Sequence, residues 1–180
     1  MKLLEMKKKV LSLIEEIDDT QASLTEDPDI EAKLPYVINQ IIFELARFKK
    51  IPEFLEQEVE ENTTFDLKDL DSFYQLMTIK GVEYEVLTDT LVRFLESGTA
   101  QISYYRNPQR IDEKTPDTYE FELSDDVLEV AVYGIAGDLL KSDVSTNYGV
   151  IYSNRYKEML QTLDPRYMLG SVEIVDSIAL

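Results

Sequence analysis

Hydrophobic positions along the chain recur first at helical spacing, then at strand spacing, then at helical spacing again. Leu3, Met6, Val10, Leu13, Ile14 and Ile17 fill one stripe and predict a helix over Lys2–Ile17, with Lys and Glu on the opposite face. Asp18, Asp19 and Thr20 interrupt it. A second helix is signalled by Asp27 as N-cap with Pro28 in the first helical position. Its stripe is Leu34, Val37, Ile38, Ile41, Leu45 and Phe48. Pro35 predicts a kink, or a regular part that begins only there. Lys49 and Lys50 suit a helix C-terminus, and Pro52 stops the run.

The period then shortens. Phe73–Ile79 and Val82–Val86 read as strands meeting at Lys80-Gly81. Leu91–Leu95 and Thr99–Tyr105 flank Glu96-Ser97-Gly98, which predicts a hairpin. Tyr119–Leu123 reads as one more strand, and mobile acidic loops are expected near Glu56–Asp71 and Asn107–Asp117. Helical spacing returns after the N-cap signal Ser124-Asp125-Asp126. The third helix carries Val127, Leu128, Val130, Ala131, Ile135, Leu139 and Leu140, is apolar on most sides, and is therefore expected at the centre. The fourth runs from about Thr146 to Leu163 with Tyr148, Tyr152, Tyr156, Met159 and Leu163 on one face, and Asp164-Pro165 ends it. Gly134 and Gly137 sit in the middle of the third helix, where each costs about 1 kcal/mol against Ala, so close helix approach is their expected reason.

The predicted fold class is α+β: a discontinuous four-helix bundle (1–52 plus 124–163), an inserted acidic antiparallel β-sheet or barrel block (53–123), and an extended C-terminal tail (164–180). Charge sharpens that division. The 180 residues carry a formal net charge of −18. Six basic residues face 17 acidic ones within 53–123, against eight and ten in 1–52 and four and nine in 124–180. Such a chain is self-repelling and ill suited to gripping nucleic acid through phosphates.

Cysteine and histidine are both absent. Disulfides, thiolate zinc sites and cysteine nucleophiles are excluded, as are catalytic arrangements that need a histidine base. Carboxylates, Lys, Tyr and backbone groups remain. Asp27/Asp29, Asp69/Asp71 and Asp125/Asp126 are oxygen-rich, but none has calcium-loop spacing, and caps and solvated loops account for them. No apolar run is long enough to span a membrane, and the Lys-interrupted N-terminus does not read as a signal peptide, so cytoplasmic synthesis without membrane association is expected.

Two segments invite a binding role. Tyr148, Tyr152 and Tyr156 form either a partner-binding face or a core stripe with hydroxyls at its rim. Arg166, Tyr167, Val172, Ile174 and Val175 lie in a tail too apolar for a purely solvated one, which suits strand addition to another subunit. Tyr104, Tyr105 and Arg106 resemble a base-stacking set, but their acidic surroundings favour a structural role at a strand end.

Three segments resemble the head–tail connector (adaptor) proteins of tailed bacteriophages. They are Val10–Glu16 with Asp27–Ile30 and Val37–Gln40; Leu128–Leu140; and Asn147-Tyr148 through Asn154–Leu160, where a helix carries Tyr, Arg and Tyr just before a tail. Together they span the helical parts, while the β block matches less well. The resemblance implies a structural virion protein, not an enzyme, with no cofactor or metal, made in the host cytoplasm and located in the neck between capsid and tail. It implies a dodecameric ring of neighbouring copies docked on the portal protein. Its tails would reach the portal, its far side would meet the tail or a second neck protein, and its lumen would pass DNA transiently. An acidic regulator or DNA mimic, a carboxylate-based hydrolase and a tail-completion protein are the rival readings.

Overall fold

The computed structural model describes residues 1–16, 24–141 and 147–163. Its helices are α1 (Leu3–Leu13), α2 (Pro28–Phe48), α3 (Asp125–Leu139) and α4 (Tyr148–Thr162). Between α2 and α3 lie β1 (Ile51–Val59), β2 (Thr64–Asp66), a 3-10 turn (Leu67–Asp69), β3 (Phe73–Lys80), β4 (Tyr84–Val86), β5 (Leu91–Phe94) and β6 (Gly98–Arg106). The protein is thus mixed α/β, with four helices and two three-stranded antiparallel sheets ordered β1-β6-β3 and β2-β5-β4. Neither sheet closes into a barrel among the described residues.

A helix apolar on nearly every side must be surrounded, and α3 is. Val127, Leu128, Val130, Ala131, Val132, Ile135 and Ala136 are all buried, and α1, α2 and α4 each pack against α3. Burying one such aliphatic side chain stabilises by about 1.5–3 kcal/mol, so this helix organises the packing around it. Leu3, Met6 and Val10 of α1 and Leu34, Ile38, Ile41, Ile42 and Leu45 of α2 complete the core. Close approach to α4 depends on glycine. A Cβ on Gly134 would lie 3.0 Å from the Tyr156 ring, and one on Gly137 would lie 2.7 Å from Ser153 Oγ and 2.9 Å from its backbone nitrogen.

The start of α2 follows its sequence. The Asp27 carboxylate accepts hydrogen bonds from the Asp29 and Ile30 amides at 2.8 and 3.3 Å, and Pro28 occupies the first turn. The helix passes through Pro35 rather than beginning there. At its other end Phe48 gives way to β1 within three residues. Pro52 is therefore the second residue of an edge strand, where a missing N–H is tolerated. The first helix is shorter than predicted and ends at Leu13.

The strand pairing departs from the sequence expectation. The hairpin predicted about Glu96-Ser97-Gly98 does not form, and the strands that meet at Lys80-Gly81 do not pair with each other: β3 pairs with β6, and β4 with β5. The two turns are instead corners at which the chain passes from one sheet to the other and back. They meet there: Gly81 has φ +88°, and a Cβ on it would stand 2.5 Å from the Thr99 carbonyl oxygen. The segment expected as an acidic loop over Glu56–Asp71 holds the end of β1, all of β2 and the 3-10 turn. Tyr119–Leu123 forms a single bridge, Lys2 to Glu120, rather than a strand, although Phe121 and Leu123 enter the helical core. Within Asn107–Asp117, Ile111 is buried and fastened at both backbone groups: its N–H donates to Asn39 Oδ1 at 2.9 Å, and Asn39 Nδ2 donates to its carbonyl at 2.7 Å.

Inside the sheets, Val92 and Phe94 of one meet Ala100, Ile102 and Tyr104 of the other in a shared apolar core. β3 reaches that core at Phe73, Leu76 and Ile79, three residues apart. Two register shifts against β6, at Tyr74 and Met77, convert the usual spacing of two into three and leave both of those side chains exposed.

The glycine contacts set the α3–α4 spacing. Gly137→Val is expected to lower stability by about 1–3 kcal/mol, because the contact it meets is backbone as well as side chain. A denaturant melt checks this, and an unchanged midpoint would show that glycine does not set the spacing.

Candidate interaction surfaces

The tyrosines predicted on α4 divide between two roles. Tyr156 is core: 7% exposed, it lies against Gly134 and the α2 side of the helical core. Its hydroxyl is buried without a hydrogen-bond partner. Burial, with the nearby Glu44 charge second, pushes this phenol well above its ordinary pKa. Glu44 is near enough to act on the ring's charge, but its geometry does not make it an acceptor for the hydroxyl.

Tyr152 sits at the rim. Its hydroxyl donates to the Leu13 carbonyl at 2.7 Å, tying α4 to the end of α1, and burial raises its pKa. Its ring packs against Tyr133 at 6.3 Å and is stacked by Tyr148 at 6.2 Å and 18°. Tyr148 itself is 52% exposed and adjoins the exposed Val150 and Ile151. The first turn of α4 thus presents an apolar patch with an aromatic pair at its edge. Among the described residues Arg155 pairs with Glu158 on its own helix, at 3.4 Å. Arg166, Tyr167, Val172, Ile174 and Val175 lie outside the described residues.

The Tyr104-Tyr105-Arg106 set is occupied structurally. Tyr104 is buried with its ring 5.9 Å from Phe73. Tyr105 lies under the Lys50 ammonium, 4.8 Å from the ring centroid. Arg106 Nε donates to Glu53 of β1 at 2.9 Å, and its two terminal nitrogens donate to the two oxygens of Glu122 at 3.0 and 2.5 Å. The two carboxylates, Glu122 foremost, hold the guanidinium well above its ordinary pKa, so its charge is fixed. The acidic pairs have local roles too. Asp27 caps α2, and the Ser124 hydroxyl holds Asp126 below the usual carboxylate range in the first turn of α3.

One surface escaped the sequence reading. On the outward side of α2, Tyr36, Gln40, Phe43 and Arg47 recur at intervals of four, three and four residues. Arg110, from the segment after β6, stands over the Phe43 ring at 4.7 Å. A cleft of about 820 Å³ opens between them. The signal was the spacing itself, hidden because Gln40 and Arg47 read as an ordinary solvated face. A second cleft, of about 480 Å³, runs between α2 and α4 over Gly134 and Gly137.

No protein-family model matches the chain, and no curated protein matches it.

Two outcomes follow from this geometry. Arg106→Met is expected to cost about 1–3 kcal/mol. The arginine is largely buried, and its loss leaves Glu53 and Glu122 facing each other without a cation, with solvent discounting part of the penalty. Unfolding of the variant by urea measures it, and a value near zero would show that the clamp is dispensable. Tyr156→Phe removes a hydroxyl with no partner, so stability near neutral pH should be unchanged or slightly higher. Above about pH 10 the unfolded phenol ionises while the folded one does not, so proton release favours unfolding and stability falls as pH rises. The variant should lose stability less steeply than the parent between neutral and strongly alkaline pH. Identical slopes would contradict the assignment.

Proposed function

We propose that this chain is a non-catalytic assembly subunit, a head–tail connector of a tailed bacteriophage that forms a ring beneath the portal, joins capsid to tail and lines the DNA exit channel. The observation that carries this reading is apolar surface left open on separate elements. It comprises Tyr36 on α2, Phe54 on β1, Tyr74 and Met77 on β3, and Tyr148, Val150 and Ile151 on α4. Single exposed apolar side chains are ordinary on a monomer, but the cluster Tyr148, Val150 and Ile151 on α4, with further aromatics on α2 and β1, fits a ring subunit that needs different contacts for its two neighbours and for the partners above and below. The helices around α3 act in this reading as one discontinuous four-helix bundle and supply the rigid wedge. The strands extend it outward, and the tail, with Arg166, Tyr167, Val172, Ile174 and Val175, is the arm that docks on the portal or a neighbour. The net charge of −18 suits a channel through which DNA slides without sticking, since like charges repel. The location in this reading is the virion neck, between capsid and tail; no described helix is long and apolar enough to cross a membrane.

The deciding experiment is native mass spectrometry with negative-stain imaging of the purified chain, alone and mixed with the portal protein of the same genome. A closed ring, alone or only on the portal, is the expected result. A monomer that ignores the portal overturns the connector reading.

A further inference from the structure

The chain has 36 acidic residues against 18 basic ones, yet of the described arginines Arg47 and Arg110 make no ion pair among the described residues, as Arg93, Arg106 and Arg155 do. Both instead border the α2 cleft. Arg110 lies over the half-buried Phe43, Arg47 is exposed, and Tyr36 stands 71% exposed at the far side. The cationic strip continues past Arg47. A third cleft of about 560 Å³ shares Arg47 and Phe48 with the first and extends over Lys49, Lys50, Pro52 and Tyr105; Glu44 lines the first, and Glu122, held by Arg106, lines the third. Side chains at intervals of four and three form a straight seam on a helix, the pattern by which one packs against a partner. Among the described residues Gln40 donates to Asp138 of α3 and Arg110 covers Phe43, while no other element packs over Tyr36 and Arg47 at the two ends of the seam.

The opposite chemistry lies on β1. Leu55 and Val59 pack towards the core of the sheets, so Phe54, Glu56 and Glu58 share the outward face. Phe54 is 55% exposed, a lone aromatic knob beside carboxylates. Glu56 accepts only from Gln101 at 3.0 Å and Glu58 only from Thr99 Oγ1 at 2.5 Å, and neither pairs with a cation among the described residues. Alternate residues of a strand stand roughly 7 Å apart, and side chains four apart on a helix about 6 Å. A row of Phe, Glu and Glu therefore matches the spacing of Phe43 and Arg47 on α2.

We infer that the outward face of α2 is a docking surface for a second copy of this chain. Phe54 of one copy enters the cleft between Tyr36 and Phe43 of the other, and Glu56 and Glu58 meet Arg47 and Arg110. Charge complementarity selects this occupant. The contact sets the most acidic stretch of one copy against the unpaired cations of the other, avoiding acidic surface on acidic surface. A nucleic acid fits less well, since its continuous charge would extend past these few cations onto a strongly acidic surface. The contact names the intersubunit interface of the assembly proposed above and rests on that reading.

Charge exchange tests it. In the full-length chain, Arg47→Glu with Arg110→Glu, and separately Glu56→Arg with Glu58→Arg, are each expected to weaken assembly by roughly a hundredfold or more, because like charges then face each other. Mixing the two variants should restore it, since every contact in the mixture again joins opposite signs. Complementation also removes misfolding as an explanation. Sedimentation velocity and negative-stain imaging, with and without portal protein, provide the readout. If the parent assembles and the variants assemble equally well, or if the mixture stays dissociated, the contact is wrong while the ring reading stands. If the arginine variant loses only the binding of a short DNA duplex, the cleft is a phosphate site and the contact is likewise wrong. If the parent assembles under neither condition, both readings fall.

Discussion

Arg106 holds together the place where the chain leaves its helices and returns to them. Its guanidinium grips Glu53, near the start of β1, and Glu122, just before α3. Arg106 itself ends β6, the central strand between β1 and β3. Three segments distant in sequence are therefore fixed to one planar cation whose fork matches a carboxylate's two oxygens. Beside it, among the described residues, the junction holds the buried Ile51 and Ile111, Lys50 against Gln75 and Tyr105, and Arg110 over Phe43. An ion pair fits such a junction because it sets orientation as well as distance, which an apolar contact does not.

The helical side solves a different problem. Because α3 is apolar on most sides, it gains from contact with α1, α2 and α4, and α4 comes closest where α3 carries glycine. The glycines permit that for α4, at the expense of helix propensity in α3. The result places the Tyr156 ring over Gly134, with its hydroxyl buried and unpaired. Tyr152, one turn earlier, finds the Leu13 carbonyl and ties α4 to α1. The same helix thus seals the core with one tyrosine, bridges with the next and offers a third to solvent. Spacing alone could not separate these roles, because they depend on how deeply α4 sinks against α3.

Helices were legible where local chemistry decides them. Asp27-Pro28 marks the start of α2 because the carboxylate satisfies amides of its own first turn, and the apolar composition of α3 required a central position. The strands were less legible because pairing is not local. Lys80-Gly81 and Glu96-Ser97-Gly98 are true turns, but a turn signal states that the chain bends, not which sheet receives it. Bulges at Tyr74 and Met77 gave β3 an inward period of three, and an inward Gln57 beside an outward Phe54 disguised β1. The α2 seam was invisible for a related reason: Arg47 and Gln40 read as solvated until Arg110, more than sixty residues later, arrives over Phe43.

The distribution of charge links these features. A chain of −18 resists association, since two copies repel wherever like surfaces meet. At physiological salt that repulsion is screened beyond about 8 Å, so the sign of the touching patches matters more than the total. Most cations near α1 are spent internally, Lys7 on Asp117 and Lys9 on Glu5 and Glu129. At the end of α2, Lys50 is engaged by Gln75 and Tyr105, whereas Arg47 makes no ion pair among the described residues. In the docking we propose, acidity over most of the surface disfavours contact between like patches, while the cations beside the α2 aromatics favour contact with a carboxylate row. Specificity for that contact would then come from repulsion elsewhere as much as from attraction at the match.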